Sequence, residues 1–272
     1  TSVRIRDLYS DTPVLALPGH RDEVTQIQYS PDGALIVTGD QAGMIRMWNA
    51  HTGVLLWSHP AAAEPVWRTV FNSKSTLLAS ASGFSGDTGA IQLWDVTTGS
   101  AVSLLSQLPT KSIAFSPDGL TLAAATEEDK TVVTLWDIPT RARRSSFSSE
   151  IRLILGLAYS PNGKLLAAVT SDNTAQLLDA ATGELLAVLG EPGGFNTRSD
   201  VVFSPDGSIL VAVRDDLVLL WDTDTYREVA ILTGHVGRVI QVDFSPDGKL
   251  IATGSEDGTA RLWGVPMPAQ QP

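Results

Sequence analysis

An aromatic residue followed by a Ser-Pro-Asp-Gly turn recurs along this chain at intervals of 41 to 44 residues. A fixed period of this length is typical of folds that repeat one supersecondary unit many times. The aromatic positions are Tyr29, Phe71, Phe115, Tyr159, Phe203 and Phe244. Four of the turns keep the full motif, the turn at Ser160 has Asn in place of Asp, and the turn at Asn72 is degenerate. The chain therefore contains six units, which account for most of its 272 residues.

Each unit has the pattern of four short strands. The aromatic residue ends an alternating apolar run, as in residues 239–244, and the Pro-Asp-Gly turn that follows indicates a hairpin. A small apolar run such as residues 165–167 is typical of a strand buried on both faces. A third run ends in Trp-Asp or a similar pair, and a turn, often Thr-Gly, leads to a fourth run such as residues 185–189. Four short strands per unit predict one blade of a β-propeller.

The units resemble the repeats of the WD-repeat family over residues 3 to 264. The resemblance implies an all-β fold, a β-propeller of four-stranded antiparallel blades around a channel, with six repeats present. It implies one propeller domain over residues 1–272, with a C-terminal tail at 265–272. It also implies a hydrogen-bonded tetrad that links a His, an Asp, a Ser or Thr and the Trp of the third strand.

The last repeat matches all four tetrad positions, with His235, Asp257, Thr253 and Trp263. The first repeat has a partial tetrad, His20, Thr38 and Trp48, with Ala42 in the Asp position. The second repeat has Ser80 and Trp94, with His59 and Asp87 as candidates for the other two positions. A His-Asp-Thr set suggests a hydrolase triad, but a Trp in the same network indicates a buried cluster that satisfies its own polar atoms. We therefore predict a structural role.

The two ends of the repeat pattern leave two architectures open. Residues 3–7 have the pattern of a third strand, residues 14–17 that of a fourth strand, and the last third strand is at Trp263. In a closed six-bladed ring, residues 14–17 supply the outer strand of the last blade. In a truncated seven-bladed ring, residues 3–17 belong to a preceding blade. The second alternative is favoured because seven such units need about 300 residues.

Charge and composition restrict the partners. The formal net charge is −11 at pH 7, and such a field repels phosphate backbones and anionic membrane surfaces. No apolar run approaches the roughly 18 residues of a membrane span. The absence of cysteine excludes disulfides, thiolate metal sites and cysteine nucleophiles. We expect protein or peptide partners, no nucleic acid, no membrane and a monomeric ring, while the compartment stays open.

Departures from the repeat length predict where partners bind. They concentrate in four predicted loops, residues 58–66, 83–90, 126–131 and 190–199, which the family's geometry places on one face. Loops vary while stacked sheets are fixed by packing. The candidate partner-binding residues are His59, Trp67, Phe84, Asp87, Glu127, Glu128, Phe195, Arg198 and Arg214. Phe84 and Phe195 are the strongest candidates, because an aromatic residue in a Gly-rich loop has no core to fill.

A propeller of this kind is compatible with two classes of function. The first is a non-catalytic interaction scaffold that binds protein or peptide on the loop-rich face. The alternative is a hydrolase-like enzyme with a metal in the channel, or else a sensor segment of a larger signalling protein. An enzyme of that kind needs a ring of His, Asp or Glu where the first strands begin, and those positions hold Glu23, Pro65, Pro109, Leu153, Thr197 and Arg238. We therefore expect no catalytic residue, no metal and no cofactor.

Overall fold

The computed structural model describes residues 3–7, 13–83, 88–127, 131–148, 153–193 and 199–265. Within these ranges the chain forms 25 β-strands and no helix, so none of the described segments is a helix that could cross a membrane. The all-β prediction is confirmed. The chain divides into two compact units, Thr1–Ser145 and Ser146–Pro272, and the single-domain organisation stays a prediction.

The first unit contains a two-stranded hairpin and three four-stranded sheets, in which strands pair in chain order. The hairpin consists of β1 (Val3–Arg6) and β2 (Pro13–Leu17). The first sheet consists of β3 (Val24–Tyr29), β4 (Leu35–Asp40), β5 (Met44–Asn49) and β6 (Leu55–Pro60). The second consists of β7 (Val66–Phe71), β8 (Leu77–Ser82), β9 (Ala90–Asp95) and β10 (Ala101–Ser106). The third consists of β11 (Thr110–Phe115), β12 (Thr121–Glu127), β13 (Thr131–Asp137) and β14 (Ala142–Ser148).

The second unit continues the same pattern. The fourth sheet consists of β15 (Ile154–Tyr159), β16 (Leu165–Thr170), β17 (Ala175–Asp179) and β18 (Leu185–Leu189). The fifth consists of β19 (Val201–Phe203), β20 (Ile209–Arg214), β21 (Leu217–Asp222) and β22 (Glu228–Leu232). The last sheet has three described strands, β23 (Val239–Phe244), β24 (Leu250–Ser255) and β25 (Ala260–Gly264). Each of the six predicted repeats forms one antiparallel sheet, which confirms the β-propeller prediction.

The strand at residues 14–17 pairs with the strand before it. Val3 lies opposite Leu17 in the β1–β2 hairpin. Leu17 is fully buried and packs with Ile36 and Trp48 of the first sheet. Residues 14–17 are therefore a strand, as predicted, and their partner within the described residues is β1. The last sheet ends at β25 in the described part of the chain.

The Ser-Pro-Asp-Gly turns close the first hairpin of their sheets through a fixed set of hydrogen bonds. In the first repeat the Ser30 hydroxyl donates to Asp32 Oδ1 at 2.6 Å, and the backbone amide of Leu35 donates to the Ser30 oxygen at 2.9 Å. Gly33 has a φ of 72°, a left-handed conformation that glycine adopts at little cost. Asn162 accepts the same bonds in the fourth repeat, so the turn needs the side-chain oxygen rather than the charge.

These turns predict a dependence of stability on pH. The Ser116 and Ser204 hydroxyls lower the pKa of Asp118 and Asp206, and the Thr225 hydroxyl does the same for Asp222. A carboxyl group with a lowered folded-state pKa binds protons more readily when the chain is unfolded, so acid favours unfolding. We expect the melting temperature to be nearly constant from about pH 6 to 8 and to fall progressively below about pH 5.

A double variant tests this origin of the acid sensitivity. Asp118→Asn combined with Asp206→Asn should keep both turns, because Asn162 occupies the same position in the fourth repeat. The melting temperature of the variant should fall less steeply between about pH 5 and 2 than that of the wild type. Equal acid slopes in differential scanning calorimetry would place the acid sensitivity elsewhere.

The hydrophobic core lies between neighbouring sheets. Its pattern recurs with the same period as the sequence repeat. In every repeat a fully buried apolar residue of the second strand lies opposite the third-strand Trp or its replacement. These pairs are Ile36–Trp48, Leu78–Trp94, Leu122–Trp136, Leu166–Leu178, Leu210–Trp221 and Ile251–Trp263. Each of the six sheets therefore has the same cross-strand pair, a buried aliphatic residue opposite Trp or, in the fourth sheet, opposite Leu178.

Thr69 is a polar exception in this core. It is fully buried in β7, and its hydroxyl oxygen has no hydrogen-bond partner. The equivalent positions in the other repeats are Ile27, Ile113, Leu157, Val201 and Val242. Because a buried, unpaired hydroxyl is costly, we expect Thr69→Val to raise the free energy of unfolding by about 1–2 kcal/mol. Urea unfolding measures this, with Thr121→Val at a partly exposed position as the control.

Candidate functional site

Four predicted side chains lie in one hydrogen-bonded chain in the last sheet. His235 Nδ1 is 2.8 Å from Asp257 Oδ2, and His235 Nε2 is 2.8 Å from Thr253 Oγ1. Trp263 Nε1 donates to the same Thr253 oxygen at 2.9 Å. With Nδ1–H donating to Asp257, Nε2 accepts the Thr253 hydroxyl proton, and every polar atom of the chain is used.

The network ties two connections of the last sheet together. His235 comes from the segment before β23, whereas Asp257 comes from the turn between β24 and β25. The Thr259 hydroxyl and the His235 ring hold the pKa of Asp257 well below its usual range. The amide of Val236 also donates to this carboxylate, at 3.1 Å. Asp257 therefore fixes the loop that carries His235.

The same contacts occupy the hydroxyl group of Thr253. The Thr253 hydroxyl is buried, and its oxygen already contacts His235 and Trp263. A catalytic nucleophile needs an exposed oxygen beside a base and an oxyanion site. The arrangement can therefore hold strands and loops together, and its Thr253 oxygen is not presented to a substrate.

The first repeat builds a different network around its histidine. Trp48 Nε1 donates to Thr38 Oγ1 at 3.0 Å, as in the last repeat. His20 Nδ1 instead lies 3.2 Å from an Arg46 nitrogen, and Arg46 forms an ion pair with buried Asp40. Burial and the Arg46 charge lower the pKa of His20. Asp40 and Arg46 thus take the place of the tetrad aspartate, whose position holds Ala42 in this repeat. The tetrad pattern alone did not predict this replacement.

The remaining repeats keep only parts of the network. Trp94 Nε1 donates to Ser80 Oγ at 2.9 Å, and the His59 ring stacks on Trp94 with centroids 6.2 Å apart. In the third repeat Trp136 Nε1 is buried without a hydrogen-bond partner, because Ala124 stands where the first repeat has Thr38.

Sequence reasoning missed one buried carboxylate in the fourth repeat. Asp172 occupies the position of Asp257, and it accepts hydrogen bonds from the Thr170 and Thr174 hydroxyls. It is only 5% exposed although its repeat has no tetrad His. The spacing Thr-x-Asp-x-Thr, which resembles Ser255-x-Asp257-x-Thr259, is the signal that identifies it.

The partner-binding candidates that the structure describes all lie in strands. His59 belongs to β6, opposite Ile45, so the loop predicted from residue 58 begins only after Pro60. The strand is longer than expected because its ladder to β5 continues to Pro60. His59 lies between Trp57 and Trp94, with ring centroids 5.6 and 6.2 Å away. Its ring therefore packs within the first unit.

Trp67 and Glu127 lie at the same end of the sheets of the first unit, because a first strand begins where the antiparallel second strand ends. Trp67 is half-buried in β7. Glu127 ends β12 and forms an ion pair with the Lys111 ammonium at 3.0 Å, although Lys111 itself is buried in β11. In the second unit, Arg214 ends β20 and is half-buried.

The other candidates, Phe84, Asp87, Glu128, Phe195 and Arg198, lie outside the described residues. Their role on the predicted face stays a prediction. Within the described ranges, no group of three or more His, Asp or Glu side chains is arranged to hold a metal ion.

Two protein families match segments of the chain that contain the repeats. The family described as "WD domain, G-beta repeat" matches residues 11–49, 186–222 and 226–264. The family described as "Anaphase-promoting complex subunit 4 WD40 domain" matches residues 134–191. Together these matches include the first repeat and the last three.

Curated relatives align along nearly the whole chain at low identity. A serine-threonine kinase receptor-associated protein of Gallus gallus is 26% identical over 92% of this chain and 81% of its own length. Pre-mRNA-processing factor 19 of Oryza sativa subsp. japonica is 25% identical over 98% of this chain but 51% of its own length. Eukaryotic translation initiation factor 3 subunit I of Schizosaccharomyces pombe is 26% identical over 79% and 68%, respectively. The chain is a member of the WD-repeat family, whose β-propellers are typically scaffolds for protein interactions.

Proposed function

We propose that this chain is a non-catalytic scaffold that binds protein or peptide partners on its loop-rich face. The observation that carries the proposal is the burial and hydrogen bonding of His235. The His235 ring is 3% exposed, and each of its two ring nitrogens contacts a protein partner. The one His-Asp-Thr set of the sequence is therefore committed to holding the fold.

The loop-rich face is supported by the distribution of the candidates. Strand positions in the sheets are occupied by packing residues, so variation between repeats is left to the connections. Glu127 and Trp67 lie at the end of the sheets of the first unit where residues 61–65 connect β6 to β7. Aromatic and charged side chains at such positions anchor interfaces. The relatives named above carry names that refer to a kinase receptor, to pre-mRNA processing and to translation initiation.

The charge of the chain supports protein partners over polyanions. A net charge of −11 disfavours phosphate backbones and anionic membranes, because both repel a negative field. We expect the scaffold to be monomeric, to bind neither nucleic acid nor membrane, and to need no cofactor for binding.

Affinity purification with matched variants tests the proposal. The bait is the whole chain, and the test variant combines Phe84→Ala with Phe195→Ala. The control variant combines Leu55→Ala with Leu185→Ala, two exposed residues of outer strands. Proteins that the wild type and the control retain, and that the test variant loses at least tenfold, would support the loop-rich face. Equal retention by all three would contradict the proposed face.

A further inference from the structure

The sequence has a single Asn-Gly step, Asn162-Gly163, which lies in the turn between β15 and β16. Asparagine is a thermally labile residue, because the backbone nitrogen of the next residue can attack its side-chain amide. Glycine favours this attack, since it has no Cβ to crowd the nitrogen or to restrict the backbone. A residue with a side chain follows each of the other asparagines, Asn49, Asn72, Asn173 and Asn196. Asn162 is therefore the asparagine that the sequence makes most reactive.

The side chain of Asn162 is exposed to solvent. Among the described asparagines it is the only exposed one, because Asn72 is buried and Asn49 and Asn173 are half-buried. Solvent access matters for two steps of the reaction. A base must remove the amide proton of Gly163, and water must hydrolyse the cyclic product. Both the sequence and the exposure thus single out the same residue.

The folded turn engages both of the groups that would react. The Gly163 amide donates to the Ser160 carbonyl at 2.8 Å. Asn162 Oδ1 accepts from the Ser160 hydroxyl at 2.8 Å and from the Lys164 amide at 3.0 Å. The attacking nitrogen must lose the proton that its hydrogen bond holds, and the side-chain amide must leave its two donors to meet that nitrogen. The reaction therefore waits for the turn to open.

We propose that Asn162-Gly163 is a site of spontaneous deamidation, and that the hydrogen bonds of the folded turn set its rate. The deprotonated Gly163 nitrogen forms a bond to Asn162 Cγ, the bond from Cγ to Nδ2 breaks, and Nδ2 takes up a proton and leaves as ammonia. Water then opens the cyclic imide. Addition of water at Cγ gives aspartate, whereas addition at the main-chain carbonyl carbon of Asn162 gives isoaspartate. In both cases one amide and one water give one carboxylic acid and one ammonia.

The two products fit the turn differently. Aspartate at this position restores the motif of the other full turns, in which a Ser hydroxyl donates to the carboxylate at 2.5 to 2.6 Å; the residues are Asp32, Asp118, Asp206 and Asp247. A hydrogen bond to a charged acceptor is stronger than one to a neutral amide. Isoaspartate adds a methylene to the backbone, which displaces the Lys164 and Leu165 amides from their acceptors in the turn. The aspartate product therefore keeps the hairpin, and the isoaspartate product loses it.

The modified turn lies away from the loop-rich face. The four strands of the fourth sheet alternate in direction, so the connection that begins at residue 190 leaves the sheet where β15 begins. The Asn162 turn lies at the opposite end, where β15 ends. Deamidation thus adds a negative charge at a place that the proposed scaffold function does not use, and the two proposals can fail independently.

Peptide mapping by mass spectrometry, after incubation of the whole chain in mildly alkaline buffer, measures the rate at Asn162. Ser160→Ala removes the hydroxyl that donates to Asn162 Oδ1 and should raise this rate at least threefold. Ser204→Ala removes the equivalent hydroxyl from the turn of the fifth sheet, in the same unit, and should leave the rate at Asn162 unchanged. An unchanged rate in Ser160→Ala, or an equal rise in both variants, would overturn the control by the turn.

The unfolded chain gives the rate without the turn. In urea the deamidation of Asn162 should be at least tenfold faster than in the folded chain. Absence of deamidation in urea would overturn the assignment of the site, and equal rates in the folded and unfolded chains would overturn the protection. Asn162→Asp has the sequence of the aspartate product and should melt at or above the temperature of the wild type. A lower melting temperature would contradict the fit of this product to the turn.

Discussion

Trp48→Ala is expected to lower the free energy of unfolding by about 3–5 kcal/mol, the largest effect of any single change considered. The Trp48 side chain is 1% exposed and packs with Leu17 and Ile36. Its removal opens a cavity between the hairpin and the first sheet. It also leaves the buried Thr38 hydroxyl without the donor that lies 3.0 Å away. Both losses act in the folded state, so the midpoint of urea unfolding should shift strongly.

Two further variants separate these contributions. Trp48→Phe keeps most of the packing but removes the indole nitrogen, so we expect a loss of about 1–2 kcal/mol. Leu56→Ala, at a half-exposed position of β6 in the same sheet, should change stability by less than about 0.5 kcal/mol. If Trp48→Ala and Leu56→Ala unfold at the same urea concentration, the packing of the hairpin against the first sheet is not as described.

Asp257→Ala is expected to lower the melting temperature by roughly 3–10 °C. The carboxylate accepts hydrogen bonds from the His235 ring, the Val236 amide and the Thr259 hydroxyl. Alanine accepts none of them, so the buried His235 nitrogen is left unpaired and the loop before β23 loses its anchor. Asp257→Asn should cost less, because the amide oxygen still accepts the bonds from Thr259.

The control for this prediction is another aspartate of the second unit. Asp216 lies exposed in the turn between β20 and β21, and Asp216→Ala should change the melting temperature by less than about 2 °C. Scanning calorimetry of the three variants gives the order of stability. A melt of Asp257→Ala that coincides with the wild type would contradict the structural role of the tetrad.

The positions of the strands could be predicted from the sequence, because the residue patterns that indicate strands and turns are local. A Pro-Asp-Gly turn, an alternating run and a Trp-Asp pair each act within a few residues, and they recur with a period of 41 to 44 residues. The structure has a strand at each predicted place, from β3 at Val24 to β25 at Gly264. The hydrogen bond from Trp to a second-strand hydroxyl could be predicted for the same reason, in each repeat that has Thr or Ser at the tetrad position of the second strand.

The residues that substitute for missing tetrad members could not be predicted from the sequence, because they depend on distances across the sheet. Asp40 and Arg46 compensate for Ala42 only because the β4–β5 pairing brings them together beside His20. Asp172 is buried without a His because the two threonines of its own turn satisfy it. His59 lies in β6 because the ladder to β5 extends further than the loop pattern suggested.

The sequence by itself determined the repeat, the all-β class and the four-strand plan of each unit, since these follow from turn chemistry and from apolar periodicity along the chain. Only the tertiary structure decided which strand pairs with residues 14–17 and which residues replace the missing tetrad carboxylate of the first repeat. The strand pattern at β2 left two partners open. The choice depends on hydrogen bonds and apolar contacts between segments distant in sequence, which no local pattern encodes.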